Sequence, residues 1–238
     1  MQFDSKLGMQ KSYTDLYCIR DIKRLYPDEY LVRIFKGKYP KLDLCNDELK
    51  GKKLCDVGFG DGRNFPLFNE VGLNLSGTEI TKEIVDHVKL NLLNMNIQAD
   101  LKVGFNGGLP FNNSSFDFVV SWNSAYYMQN NHNLYDSFLN YIKEFARILK
   151  NDGRLIMSFS MKSHCIYNDS IDIEDGFKIL KNDPYYIRNG QIFKYFNNEN
   201  ELEEMFSPWF EKFVFAKRIN DCFGLRNDWY VVVATRKG

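Results

Sequence analysis

The stretch from Leu54 to Phe65, which reads LCDVGFGDGRNF, constrains the fold of this chain more than any other. Apolar Leu54 and Val57 on either side of Asp56 predict the end of a buried strand, and glycines at 58, 60 and 62 predict a tight turn after it. Glycine permits a positive φ and lets a ligand come close to the backbone. A strand that ends in such a turn and opens a helix places free N–H groups at the carboxyl edge of a sheet. Open α/β folds bind their ligands at this edge, so the stretch predicts a ligand site.

The remaining sequence alternates between strand and helix patterns. The runs 73–80, 99–103, 116–122 and 154–159 predict strands, and apolar spacing predicts helices from Thr81 to about Asn94 and from Leu134 to Lys150, the latter ended by 151–153. A loop is expected over 123–133, the pattern weakens over 160–196, a short helix is expected near 199–206, and two closing strands are expected at 209–216 and 229–235. This alternation predicts an α/β protein with a doubly wound, mostly parallel sheet and an antiparallel far edge.

Length, charge and cysteine content narrow the class of protein. The 238 residues suit one α/β domain at 51–238 behind an N-terminal helical extension at 1–50. Lys and Arg balance Asp and Glu at 31 each, so no overall field attracts nucleic acid or an anionic membrane. Five scattered cysteines without a C-x-x-C pair predict neither disulfides nor a metal site. No apolar run is long enough for a signal peptide or a membrane span, so we expect a cytoplasmic protein of undetermined oligomeric state.

Two kinds of glycine turn compete at the opening stretch. A dinucleotide site needs G-x-G-x-x-G with a small third residue, because the helix must lie close to the pyrophosphate. Here the spacing is G-x-G-x-G, and Arg63 occupies the position that should be small. Asp56 lies two residues before the first glycine, where a carboxylate repels a pyrophosphate and attracts an ammonium group. The residues therefore disfavour a dinucleotide.

An acid, an apolar residue and then G-x-G-x-G resembles motif I of the class I S-adenosylmethionine-dependent methyltransferases. The resemblance continues through Glu79 at a strand end, through LPFNNSSFDFVVS at 109–121 and through FARILKNDGRLIMSF at 145–159. It implies a Rossmann-like, seven-stranded sheet, S-adenosyl-L-methionine as cofactor and methyl transfer without a metal. The implied cofactor-binding residues are Asp56, Gly58, Gly60, Glu79, Ile80, Asn106, Ser121 and Trp122.

Three of these residues have implied roles. Asp56 serves the amino-acid end of the cofactor, and Glu79 holds the ribose hydroxyls. Many relatives carry an aspartate that accepts a hydrogen bond from the adenine amino group. The matching position here is Phe105, so the next residue, Asn106, is expected to accept this hydrogen bond instead.

A narrower resemblance concerns the acceptor. The segments WNSAYYM at 122–128 and YPDEYLVRIF at 26–35 are similar to a bacterial subgroup of small-molecule methyltransferases associated with surface-polysaccharide biosynthesis. This implies a hydroxyl or phosphate-type oxygen of a polysaccharide precursor as acceptor, while the acidic patch at 169–175 would suit an amine. An aminopropyltransferase and a catalytically silent cofactor-binding module remain alternatives. No basic stripe or N-P-P-Y-type motif favours nucleic acid.

The acceptor pocket is expected between the N-terminal extension, the 123–133 loop and the segment after residue 159. His132 and His164 follow predicted strands at the carboxyl edge, and an imidazole titrates near neutrality, so each is a candidate catalytic base. Arg188 or Lys162 is a candidate to hold an anion. The predicted substrate-binding residues are Tyr13, Tyr17, Asn123, Tyr126, Tyr127, Tyr167 and Arg188.

Overall fold

The computed structural model describes residues 5–18, 26–44, 48–128 and 132–238. Its helices are α1 (Ser5–Cys18), α2 (Glu29–Lys36), α3 (Phe65–Glu70), α4 (Lys82–Asn94), α5 (Leu134–Ile148) and α6 (Glu199–Phe206). Its longer strands are β1 (Lys53–Val57), β2 (Asn74–Glu79), β3 (Ala99–Val103), β4 (Phe116–Ser121), β6 (Leu149–Ser160), β10 (Phe210–Arg218) and β13 (Trp229–Arg236). The shorter strands are β5 (Tyr127–Met128), β7 (Ile171–Ile173), β8 (Phe177–Ile179), β9 (Ile192–Lys194), β11 (Asp221–Cys222) and β12 (Leu225–Arg226).

The seven longer strands form one sheet in the order β10-β13-β6-β4-β1-β2-β3. Strands β3, β2, β1, β4 and β6 pair in parallel, and β13 runs antiparallel to both β6 and β10. Leu54 and Cys55, neighbours in β1, belong to two different buried clusters, because successive side chains of a strand point to opposite faces. Both faces of the sheet are thus covered. The predicted doubly wound, mostly parallel α/β fold with an antiparallel edge is confirmed.

Side-chain caps fix where three helices begin. Asp28 accepts a hydrogen bond from the backbone N–H of Tyr30 at 2.9 Å, which starts α2. Thr81 accepts from Ile84 N at 3.3 Å and starts α4, and Asn198 accepts from Glu201 N at 2.9 Å and starts α6. Each cap satisfies a backbone donor that the helix itself leaves free.

The predicted end of α5 was wrong. The helix stops at Ile148 rather than Lys150, and Leu149 is already extended, with φ −71° and ψ 143°. Leu149 pairs with Phe116, so β6 begins there and runs through the 151–153 segment that was expected to end the helix. Pairing with β4 at this position outweighs continuation of the apolar helical pattern.

A second, four-stranded antiparallel sheet, in the order β5-β9-β8-β7, lies where the sequence predicted a loop and an irregular segment. Its strands are two or three residues long, and such strands are too short to show an alternating pattern of apolar and polar residues. Its β9 ends in Lys194, which is fully buried and donates to the carbonyl oxygens of Asp175 and Tyr195 at 3.0 and 2.9 Å. Among the described helices, none has the length and apolar character to cross a membrane.

Candidate functional site

The glycine turn after β1 lies against two other segments. Gly58 and Gly60 have φ values of 73° and 57°, which side chains rarely adopt. A Cβ on Gly58 would lie 1.9 Å from the Ser124 side-chain oxygen, and a Cβ on Gly60 would lie 3.1 Å from Cζ of Tyr17 in α1. The turn therefore requires glycine both for its backbone conformation and for its close contacts.

Two buried acidic residues lie near this turn, one at the end of β1 and one at the end of β2. Asp56 is 1% exposed, and neither carboxylate oxygen has a hydrogen-bond partner among the described residues. Burial, reinforced by the nearby charges of Glu79 and Asp61, raises the pKa of Asp56 to about 8. Glu79 Oε1 accepts from Gly60 N at 2.9 Å and Oε2 accepts from Ile80 N at 2.7 Å. Burial also raises the pKa of Glu79, although these two hydrogen bonds oppose the shift.

A narrow cavity of about 60 Å³ lies between α1 and the carboxyl ends of β2 and β3. Its walls combine the glycine turn, the end of β2 and the loops that follow β3 and β4. It is lined by Tyr13, Tyr17, Gly58, Thr78, Glu79, Ile80, Gly104, Phe105, Asn106, Asn123, Ser124 and Tyr127.

A wide cavity of about 600 Å³ is also lined by the turn. It shares Tyr17, Gly58, Asn123 and Tyr127 with the narrow cavity, so the two spaces adjoin at the glycine turn. Its other lining residues are Leu16, Asp28, Phe59, Gly60, Asp61, Arg63, Asn64, Trp122, Tyr126, His164, Ile166, Tyr185, Ile187, Arg188, Arg218, Asn227 and Trp229.

Ion pairs fix the three arginines of the wide cavity. Arg63 contacts Asp61 at 2.5 Å, and Arg218 contacts Asp28, the cap of α2, at 3.3 Å. A third pair joins the guanidinium of Arg188 to the fully buried Asp183 at 3.0 Å. The arginines are thereby oriented around the cavity by partners on several different segments.

His164 is 3% exposed and packs edge-on against Trp229, with ring centroids 4.8 Å apart. Its Nδ1 accepts a hydrogen bond from Ile166 N at 3.1 Å, so in the neutral ring the proton resides on Nε2. Burial, followed by the charge of Arg188, lowers the pKa of His164 to about 4. At neutral pH, His164 is therefore an uncharged hydrogen-bond donor at the wall of the wide cavity.

The structure brings most of the predicted site residues to the two cavities, but four line neither. Asp56 is buried in β1 just before the turn, and Ser121 is fully buried at the end of β4. Tyr167 is buried with its hydroxyl 2.5 Å from Ser160 Oγ. His132 is exposed ahead of α5. The catalytic role predicted for His132 stays a prediction, as do the ligand roles of the other predicted residues.

Several lining residues escaped the sequence analysis. Arg218 and Trp229, at the adjoining ends of β10 and β13, pair with each other in the sheet, and Asn227 lies just before β13. Asp28 reaches the cavity from the start of α2. The predicted pair of closing strands was the only sequence signal that placed 218 and 229 near the site, because neither residue belongs to a motif.

Residues 55–157 match the family model described as a methyltransferase domain. No curated protein sequence matches the chain. Among solved structures, an S-adenosylmethionine-dependent methyltransferase from Methanosarcina mazei is 20% identical, with a TM-score of 0.65 and coverage of 84% of this chain and 98% of that one. Magnesium protoporphyrin IX methyltransferase from Synechocystis PCC 6803, bound to S-adenosylhomocysteine, is 15% identical, with a TM-score of 0.57 and coverage of 100% and 89%.

A third similar structure, the [4+2]-cyclase SpnF, is 11% identical, with a TM-score of 0.65 and coverage of 98% and 96%. At these identities the structural likeness establishes the fold alone, and that fold serves more than one reaction. The evidence for an activity comes from the match of residues 55–157 to the methyltransferase domain. This match supports an enzyme, an S-adenosylmethionine-dependent methyltransferase.

Proposed function

We propose that this S-adenosylmethionine-dependent methyltransferase transfers the methyl group to an oxygen atom of a small molecule held in the wide cavity. The observation that carries the proposal is the junction of the two cavities at Gly58, Tyr17, Asn123 and Tyr127. Methyl transfer is an in-line displacement, so cofactor and acceptor must meet at one point. Alignment of two bound molecules is itself worth roughly 7 to 11 kcal/mol of barrier.

The residues around the turn suit S-adenosylmethionine, which supplies an electrophilic methyl group on a positively charged sulfur. Asp56 is a buried carboxylate without a partner among the described residues, and a cation is the complement that it lacks. Glu79 lines the narrow cavity, and each of its oxygens retains a lone pair for a ribose hydroxyl. Phe105 and Asn106 line the same cavity, where we assign them to the adenine ring.

The groups around the wide cavity favour an acceptor oxygen that is already anionic. A neutral hydroxyl needs a base near the point of attack. The Nδ1 of His164 already accepts a hydrogen bond from Ile166 N, and the two lining aspartates, Asp28 and Asp61, are each paired with an arginine. A phosphate-type oxygen needs no base. That the acceptor is a surface-polysaccharide precursor rests on the resemblance of 26–35 and 122–128 and stays a prediction.

Calorimetric titration with S-adenosylmethionine and S-adenosylhomocysteine tests the cofactor assignment. We expect both to bind, and we expect Glu79→Gln to weaken binding about tenfold, the usual loss for a hydrogen bond to a charged group. Glu83→Gln is the matched control, since Glu83 lies on the exposed side of the first turn of α4. If the folded protein bound neither compound, the proposal would fail.

Mass spectrometry then tests the reaction. The protein and S-adenosylmethionine are incubated with phosphorylated, nucleotide-linked and sugar metabolites, and we expect one product heavier by a methyl group. In a parallel incubation with decarboxylated S-adenosylmethionine, a product carrying an aminopropyl group would establish the aminopropyltransferase alternative. Cofactor binding without any product across the whole screen would favour the silent binding module.

A further inference from the structure

We propose that helix α1 is a gate over the narrow cavity, which moves away from the glycine turn to admit S-adenosylmethionine and then closes over it. That the admitted ligand is this cofactor rests on the function proposed above. The gate itself follows from the volume of the narrow cavity, from the position of Tyr17 and from the contacts that hold α1 in place.

The narrow cavity is too small for the adenosine group that we assign to it. Its volume is about 60 Å³, whereas a single water molecule in the liquid occupies about 30 Å³. Pockets that bind a small organic ligand or a cofactor measure roughly 300 to 1,000 Å³. The wide cavity, at about 600 Å³, falls within that range, and the narrow cavity does not. The adenosine group therefore enters only if a wall of the narrow cavity moves.

Tyr17 of α1 forms the wall that lies against the residues assigned to the cofactor. Its ring packs on the glycine turn, since a Cβ on Gly60 would lie 3.1 Å from Cζ of Tyr17. Burial raises the pKa of the Tyr17 hydroxyl, and the neighbouring groups of Tyr127 and Glu79 add to this shift. Tyr17 and Glu79 also line the same narrow cavity. The ring therefore occupies the approach to both the turn and the carboxylate assigned to the ribose.

Tyr17 is stacked within α1, so we assign the movement to the whole helix. The Tyr13 and Tyr17 rings stack with centroids 5.7 Å apart. Rotation of Tyr17 on a fixed helix would break this stack, whereas displacement of the helix carries both rings together. Leu16 and Tyr17 also line the wide cavity, so closure of α1 completes a wall of the acceptor space as well.

Reversible contacts hold α1 closed. Thr14 Oγ1 lies 3.1 Å from Oγ1 of Thr81, the cap of α4, and the Tyr13 hydroxyl donates to Gln191 Oε1 at 3.3 Å. The helix has 14 residues, with no acidic residue in its first turn and no basic residue in its last turn. Such charges stabilise helix ends, and a helix of this length is marginal on its own in water. Its position therefore depends on side-chain contacts that can break and re-form.

A reversible disulfide tests the gate. The Thr14 and Thr81 hydroxyls are in hydrogen-bond contact, so cysteines at these two positions are close enough to form a disulfide. The Thr14→Cys/Thr81→Cys protein is made with Cys18, Cys45 and Cys222 replaced by serine, and mass spectrometry detects the disulfide. Uptake of radiolabelled S-adenosylhomocysteine is followed by rapid filtration. We expect no uptake by the oxidised protein within the time that the reduced protein needs to become saturated.

The matched controls are the two single variants, Thr14→Cys and Thr81→Cys, in the same background and treated with the same oxidant. Neither can form the disulfide, so both are expected to take up S-adenosylhomocysteine as fast as the reduced double variant. These controls separate the effect of the disulfide from the loss of the α4 cap at Thr81.

A second measurement weakens the closed state instead of locking it. Thr14→Val keeps the shape of the side chain and removes its hydroxyl, which should raise the population of the open state about fivefold, the usual effect of one hydrogen bond. Because entry requires the open state, uptake should become faster by the same factor. Asp15→Asn, at an exposed position of the same helix, is the control and is expected to match wild type.

Uptake by the oxidised double variant at the rate of the reduced form would overturn the gate, because Tyr17 would then move without α1. Uptake by Thr14→Val at the wild-type rate, or failure of the two cysteines to form a disulfide, would overturn it as well. All three outcomes leave the proposed function intact, because the ligand still binds. If the reduced protein bound neither S-adenosylmethionine nor S-adenosylhomocysteine, the proposed function would fall and the gate with it.

Discussion

Asp56 is the residue whose burial is hardest to explain by folding alone. Its buried carboxylate has no hydrogen-bond partner in the described residues, and its pKa is raised to about 8 mainly by burial. An ordinary aspartate titrates at about 3.9. Between these values the folded state holds a proton that the unfolded state has released, so the free energy of unfolding falls as pH rises.

We expect Asp56→Asn to become progressively more stable than wild type between pH 5 and pH 8. The variant has no carboxyl to titrate, so the gap grows by roughly 1 kcal/mol per pH unit and levels off above the folded pKa. Urea unfolding at pH 5, 7 and 9 measures it. A gap that does not change with pH would contradict the raised pKa of Asp56.

Asp117 in β4 provides a control of opposite sign. Burial raises its pKa, but hydrogen bonds from Lys53 N and Lys150 Nζ outweigh burial and leave the pKa lowered. The resulting stabilisation is complete above the unfolded pKa of about 3.9 and is lost as pH falls below it. The free energy of unfolding of Asp117→Asn should therefore be lower than that of wild type by the same amount at every pH from 5 to 9.

The same carboxyl gives a signature of cofactor binding. At pH 7 the ligand-free protein holds the Asp56 proton, and a cation bound nearby favours the ionised form. Binding of S-adenosylhomocysteine should therefore release more protons from wild type than from Asp56→Asn, by up to about one per site. Calorimetry in two buffers of different ionisation enthalpy measures the release. Equal release from both proteins would remove Asp56 from the cofactor's charge environment.

Residues differ in how far the sequence predicts them. Asp56 and Glu79 were predicted because a strand pattern and a glycine turn fix their positions at the sheet edge, and the structure places both at the turn. Arg218 was not predicted, because its place depends on the pairing of β10 with β13 and on an ion pair with Asp28, 190 residues away in the chain. Contacts at such separation leave no local pattern.

At the scale of elements, α1 connects the narrow cavity to the second sheet. Its Tyr13 and Tyr17 rings stack at 5.7 Å, and Tyr13 meets the Tyr127 ring edge-on at 5.4 Å. The Tyr13 hydroxyl donates to Gln191 Oε1 at 3.3 Å, ahead of β9. Sequence analysis predicted a helical cover here but not its partner, because the strands of the second sheet are too short to show a period of two.

We expect Tyr17→Ala to release the cofactor faster. Tyr17 lines both cavities and lies against Gly60, so removing its ring opens the junction and deletes apolar contact. Loss of about 1 to 2 kcal/mol of contact corresponds to dissociation faster by about tenfold. Stopped-flow displacement of S-adenosylhomocysteine measures the rate. Tyr17→Phe, which keeps the ring, is the control, and equal rates for Ala and wild type would show that α1 does not cover the bound cofactor.

At the scale of the whole molecule, the overall balance of charge is repeated around the wide cavity. The chain carries 31 basic and 31 acidic residues, and each of the three lining arginines is paired with an aspartate: Arg63 with Asp61, Arg188 with Asp183 and Arg218 with Asp28. Charges at a protein surface are also screened within about 10 Å at ordinary ionic strength, so long-range attraction contributes little to the choice of ligand.

The N-terminal segment also belongs to the packing of the whole molecule. Phe35 of α2 is fully buried and packs against Phe68 of α3 and Phe118 of β4, with ring centroids 5.3 and 5.8 Å away. The prediction of an N-terminal helical extension at 1–50 ahead of a domain at 51–238 treats α2 as a cover. Aromatic contact with a central strand gives α2 a part in the core, so we propose that α2 unfolds together with the sheet.

Phe35→Ala tests this proposal. Truncating a buried phenylalanine lowers the free energy of unfolding by about 3 to 5 kcal/mol. If α2 and the sheet form one cooperative unit, this whole decrease appears in a single unfolding transition. Urea unfolding followed by tryptophan fluorescence and by circular dichroism should then give coincident curves, both shifted to lower urea. Tyr26→Ala, at a residue 85% exposed, should change stability by less than about 0.5 kcal/mol. Two separated transitions in Phe35→Ala, with the tryptophan signal retaining its wild-type midpoint, would instead assign α2 to an extension that unfolds on its own.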